Sequence, residues 1–170
     1  MRSARPAASG FSGGERRDVK SLARPVDKAE VLRRLRALSP ESRRRWGRMS
    51  AHQMVCHLSD SFLCVMGRKP VSHATSAFQR TFVKWLALYV PLPWLPGIRT
   101  RPEIDQYVGG TKPAEFAADV AQLEALVGMV TEPSRRFDWQ PHPIFGPLSD
   151  WEWLRWGYLH MDHHLRQFGA

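Results

Sequence analysis

Two four-residue stretches constrain this chain more than any others: Ser50-Ala-His-Gln53 and Ser149-Asp-Trp-Glu152. Each places a serine three residues ahead of Gln or Glu. In this reciprocal capping pattern, each side chain takes the backbone N–H of the other at a helix start. Apolar residues follow both at helical spacing. The first predicts a helix over about 50–67, stopping at Gly67, and the second a helix over about 150–167, with Gly169 past its end. The stripe Val31, Leu32, Leu35 and Leu38 predicts an earlier helix over about 26–38, ended near Ser39-Pro40. Phe78, Phe82, Trp85, Leu86 and Tyr89 predict an apolar-aromatic helix over about 76–90, followed by a Pro-rich connection. A further helix is expected from Thr111-Lys-Pro113, with proline in its first turn and an apolar face of Phe116, Val120, Leu123, Leu126, Val127 and Val130. No segment alternates over several residues, and no internal repeat is found. The fold class is therefore all-α: an antiparallel bundle of four amphipathic helices with one additional inserted helix.

The 170 residues suffice for one domain with a sizeable core, and 43% hydrophobic content with seven Trp argues for a globular chain. The formal charge of +9 is uneven: residues 1–50 hold 14 Lys/Arg against 5 Asp/Glu, while residues 51–170 hold 11 of each. Residues 1–24, rich in Arg, Ser, Gly and Ala, read as a disordered basic N-terminal tail, and residues 25–170 as the folded domain. A neutral body argues against a specific nucleic-acid surface, leaving weak, salt-sensitive attraction through the tail as an alternative. The N-terminus lacks the apolar stretch of a secretory signal. The longest apolar run, TFVKWLALYVPLPWLPGI, contains Lys84 and three prolines, so no membrane span is expected. Cys56 and Cys64 are too few for a disulfide framework and fit a reducing, cytoplasmic setting, as small buried hydrophobes rather than nucleophiles. Seven Trp leave material for a homodimer interface.

The histidines carry the chemistry. His160 and His164 lie four apart on the last helix, so they share a face and suit one divalent metal; a proton relay or an accident of composition are the alternatives. His163 lies about 100° round the helix from His164 and is expected at the rim of such a site, behind its ligands, or in solvent. A third ligand must come from another helix. His57 is the best candidate, although a lone histidine on such a face equally serves as a core residue bonded to backbone or hydroxyl. Asp60, one turn from His57, could orient it, and Gln167, three beyond His164, could bond a ligand or cap the helix. Arg166 could take a substrate carboxylate or pair at the surface. Trp46, Trp153 and Trp156 read as core. His52 is expected in solvent, as is His73. His142, in Pro141-His-Pro143, lies too far along the chain to join the pair and reads as part of a loop over one end.

WGRMSAHQMVCH, HPIFGPLSDWEW and HMDHHLRQFG together resemble the DinB-like superfamily of metal-binding four-helix bundles, and more narrowly an uncharacterised bacterial branch with HPxFG and HHLRQFG motifs. The resemblance covers about residues 30–169. It implies that His57, His160 and His164 bind a divalent metal ion, which the chemistry of neutral imidazole would match with Zn, Ni, Fe or Co. Relatives include metal-dependent thiol transferases, so the resemblance implies a thiol transferase or hydrolase acting on a small electrophile. A non-enzymatic, metal-stabilised bundle or interaction module is the other reading.

Overall fold

The computed structural model describes residues 19–97 and 100–170. Among these residues it is all-helical, with no strand. Five α-helices run in order: α1 (Pro25–Arg36), α2 (Ala51–Val65), α3 (Lys84–Tyr89), α4 (Phe116–Thr131) and α5 (Asp150–Gln167).

Both capping boxes form. Gln53 N–H donates to the Ser50 hydroxyl at 3.1 Å and Ser50 N–H to Gln53 Oε1 at 2.9 Å. Glu152 N–H donates to the Ser149 hydroxyl at 3.3 Å and Ser149 N–H to Glu152 Oε2 at 2.8 Å. Each cap contributes about 1 kcal/mol and sets the rotational phase of the helix behind it. At the other end of α2, Gly67 adopts φ +73, which lets its N–H return to the Cys64 carbonyl. Pro25 opens α1 as a first-turn proline.

Two expected elements differ. The fourth helix begins at Phe116, not at Thr111. The Thr111 amide and hydroxyl are taken by Asp60, and Glu115 supplies the cap, its carboxylate accepting from the amides of Ala117 and Ala118. The aromatic helix forms within the expected span, but its first part is a π-helical turn, Gln79–Val83, leading into α3. Its aromatic stripe faces outward: Phe78, Phe82, Trp85, Leu86 and Tyr89 are all exposed, and only Leu88 of this element is buried.

The helices pack α2 on α4, α1 on α5, α2 on α5 and α1 on α4, with α3 lying against α5. Val31 and Leu35 of α1, Met54, Leu58 and Phe62 of α2, Leu123 and Val127 of α4, and Met161 and Leu165 of α5 fill the space between them. Residues 1–18 of the expected tail lie outside the described residues. The rest of it packs: Ser21 and Leu22 are buried, and Leu22 N–H donates to the Leu154 carbonyl. Gly157 receives Leu22 there, since a Cβ at that glycine would stand 2.7 Å from Leu22 Cδ1. No helix of the described residues is long and apolar enough to cross a membrane.

Candidate metal centre

His57 lies mid-way along α2, and His160 and His164 one turn apart on α5. The α2–α5 contact brings them together across 103 positions of sequence. His57 Nε2 stands 3.3 Å from His160 Nε2, and one ring nitrogen from each of the three lies within 4.8 Å of the others.

Two of the rings are held from behind. His57 Nδ1 lies 2.9 Å from the Ile104 carbonyl. A carbonyl only accepts, so Nδ1 carries the proton and Nε2, which faces His160, keeps its lone pair. His164 Nδ1 lies 2.9 Å from Gln167 Oε1, and the far side of that amide is fixed because Gln167 Nε2–H donates to the Trp46 carbonyl at 2.9 Å. The Trp46 contact therefore sets the amide, the amide sets the His164 tautomer, and Nε2 of His164 is left as an acceptor. Gly47 permits the contact: it sits at φ +75, and a Cβ there would come within 2.6 Å of Gln167 Nε2. His160 Nδ1 is buried without a hydrogen-bond partner. Burial holds all three imidazoles below the ordinary histidine range, and neighbouring rings depress His160 and His164 further. The result is three neutral rings in which His57 and His164 keep acceptor nitrogens and His160 brings its Nε2 to 3.3 Å from that of His57. A divalent cation satisfies that arrangement, and acceptors behind the rings, taking the outer N–H, are the usual support of metal-ligating histidine.

The other singled-out residues take varied places. Gln167 fills one of its two expected roles, as the bond to His164. Asp60 does not touch His57. It is fully buried and accepts from the Thr111 amide at 2.8 Å, the Thr111 hydroxyl at 2.6 Å, Lys69 at 2.8 Å and Gln106 Nε2 at 3.3 Å. It thereby anchors the 102–114 connection, whose Ile104 carbonyl holds His57. Its structural hold on that histidine runs through the connection, which bonds to both. His163 is buried rather than solvated, with Nδ1–H donating to the Trp94 carbonyl at 3.2 Å. The Trp94 ring stands 6.2 Å from that of His160, and Trp156 stands 4.8 Å from it on another side.

His142 caps its own loop, its Nδ1 accepting from the amides of Ile144 and Phe145 while its backbone pairs with Gly146. The PHPIFG stretch is thus a self-bonded turn stacked on Phe145. His52 is partly buried rather than in solvent, 2.6 Å from Asp119, because the start of α4 packs beside the first turn of α2. His73 is exposed. Arg166 pairs with Asp162 at 2.9 Å. Trp153 and Trp156 are core, and Trp46 is half-buried beside His163. Cys56 and Cys64 are free and buried; burial, and for Cys56 then the Asp119 charge, pushes their thiols up to about 12 and about 11, so neither is a free nucleophile at neutral pH. The Ile104 carbonyl, a backbone acceptor, leaves no residue-type signal in the sequence. Gly47, in Trp-Gly-Arg, carries no signal in the sequence of its contact with Gln167.

Neither a curated protein nor a solved structure matches the chain. A family match runs over residues 18–170, taking in all five described α-helices and all three histidines. The chain belongs to that family, described as protein of unknown function DUF1569.

Proposed function

We propose that His57, His160 and His164 hold one divalent metal ion, of the kind imidazole favours (Zn, Ni, Fe or Co), and that the centre activates a small-molecule thiol or a water for attack on a small electrophile. The observation that carries this reading is the pair of pinned tautomers. Ile104 and Gln167 occupy the outer nitrogens of His57 and His164, leaving acceptors facing inward within 4.8 Å. Three protein ligands are the number typical of catalytic rather than structural zinc, with a position left for substrate. When bound, such an ion lowers the pKa of a thiol or water beside it.

The chain's own residues supply the rest. Asp60 fixes the connection bearing Ile104, and Gln167 fixes His164 against the 46–47 turn. Trp94 and Trp156 wall His160, the least covered of the three imidazoles, with aromatic surface that suits an apolar electrophile and keeps bulk water from that side. The mutual packing of α1, α2, α4 and α5 supports a DinB-like four-helix arrangement, and two free buried thiols suit a reducing, cytoplasmic setting.

A second reading is a metal that only stabilises the fold. It draws on the ligands coming from α2 and α5, 103 residues apart, so that one ion would close a long loop. Metal analysis of the purified chain and its His57→Ala variant tests the shared part. The variant is expected to carry one metal equivalent fewer than wild type; no metal in wild type refutes both readings. Thiol-dependent turnover of a generic electrophile, abolished by chelation, separates the enzyme from the metal-stabilised fold.

A further inference from the structure

A second group of ligating side chains stands on the opposite flank of α2. His52 and Cys56 lie four apart, so they share a face, and the chain sets that face against the first turn of α4, where Asp119 sits. His52 Nε2 lies 2.6 Å from Asp119 Oδ2, and Cys56 Sγ lies 3.7 Å from the same oxygen. The three ligand atoms fall within 4.8 Å of one another. Cys56 is buried, while His52 and Asp119 keep 17% and 16% of their side chains exposed, so the group is reachable from solvent without unfolding. Phe116 holds the His52 ring edge-on at 5.2 Å, and the Ala114 amide donates to Asp119 at 3.0 Å. Both outer residues are therefore oriented toward the thiol by groups that a bound ion would not displace.

We infer that His52, Cys56 and Asp119 form a second metal site, selective for a borderline-soft divalent cation such as Zn(II) or Co(II). One imidazole nitrogen, one thiolate and one carboxylate oxygen are ligand types zinc accepts together. Two negative ligands neutralise the ion's charge in a half-buried place, where the three-imidazole centre leaves its own ion uncompensated. The proton balance is simple. Cys56 releases its thiol proton to solvent, and the His52 proton on Nε2 moves to the other ring nitrogen, freeing a lone pair. The hydrogen bonds from His52 and Cys56 to Asp119 are exchanged for bonds to the ion, and the Ala114 amide keeps its acceptor. The inference does not depend on the histidine trio, since the two groups share only the helix that carries them.

Cobalt separates the two sites. Thiolate bound to Co(II) gives a charge-transfer band in the near ultraviolet, and imidazole does not. Metal-free full-length protein titrated with Co(II) is expected to develop this band. The triple variant His57→Ala/His160→Ala/His164→Ala, provided its circular dichroism matches wild type, is expected to keep it. Cys56→Ser is expected to lose the band, and Cys64→Ser to retain it. His52→Ala, at a partly exposed position, is expected to weaken the band-forming site at least about tenfold, the lower limit for losing even a supporting group of a metal site. Absence of the band in wild type under excess Co(II), or an undiminished band in His52→Ala or Cys56→Ser, overturns the assignment. Failure of the trio would show differently: wild type would keep the band yet bind no ion beyond this one.

Discussion

Replacing Gln167 by leucine removes one side chain of similar volume and two hydrogen bonds, each 2.9 Å long, in a position that is 3% exposed. No cavity follows, so the cost is polar. The His164 Nδ1–H, buried against α2, loses its acceptor, at about 1–3 kcal/mol. The Trp46 carbonyl, in a half-buried turn that water can reach, loses its donor, at about 0.5–1.5 kcal/mol. Together these predict roughly 2–4 kcal/mol of destabilisation for the metal-free chain, or a melting temperature lower by roughly 5–15 °C for a domain of this size. With His164 no longer held in one tautomer, metal affinity is expected to fall by about 10–100-fold. Urea unfolding of metal-free protein measures the first, and competition with a chromogenic chelator measures the second. Gln167→Glu is the informative control. It keeps an oxygen for His164 but loses the donor to Trp46, so it should weaken the 46–47 turn and leave metal affinity within about tenfold of wild type. If Gln167→Leu binds metal as tightly as wild type, Trp46 does not set the His164 tautomer through the Gln167 amide.

Three further outcomes follow from the same geometry. Asp60→Ala leaves Lys69 and both Thr111 donors without their shared carboxylate, and should cost about 3–5 kcal/mol by denaturant unfolding; faster amide exchange across 102–111 would accompany it, and unchanged exchange there would sink the anchoring role. Gly47→Ala forces a side chain into a left-handed backbone and against Gln167, and should lower stability by about 1–3 kcal/mol, more than any alanine placed at exposed Gly97, where nothing stands within 4 Å. His142 is held neutral by burial, its pKa lowered to about 3. The unfolded chain takes up that proton first, near pH 6.5, so the contribution is complete above that pH and is lost as pH falls toward about 3, by up to about 1.4 kcal/mol per unit. Urea midpoints at neutral pH and near pH 5 should therefore fall less in His142→Asn than in wild type; parallel losses would show that another group carries the acid sensitivity.

Local chemistry made much of this protein legible from its sequence. Capping boxes and helical stripes act within a few residues, and α1, α2 and α5 start within a residue or two of where those signals stand. The spacing of His160 and His164 is likewise a property of any α-helix, and so is the separation of His163 from their face. What the fold alone decided is everything that joins distant segments. Thr111 reads as a helix start, yet Asp60 claims its amide and hydroxyl, and the helix waits for Glu115. The stripe of Phe78, Phe82, Trp85, Leu86 and Tyr89 reads as an apolar-aromatic helix, yet periodicity reports only that one face is apolar, not what lies against it, and here that face is outside. Asp60 is one turn from His57, yet the 102–114 connection passes between their roles, and a backbone carbonyl does the orienting. Spacing along one helix is set by 3.6 residues per turn. Which two helices meet, and which carbonyl arrives behind a ring, is set by the packing of the whole chain.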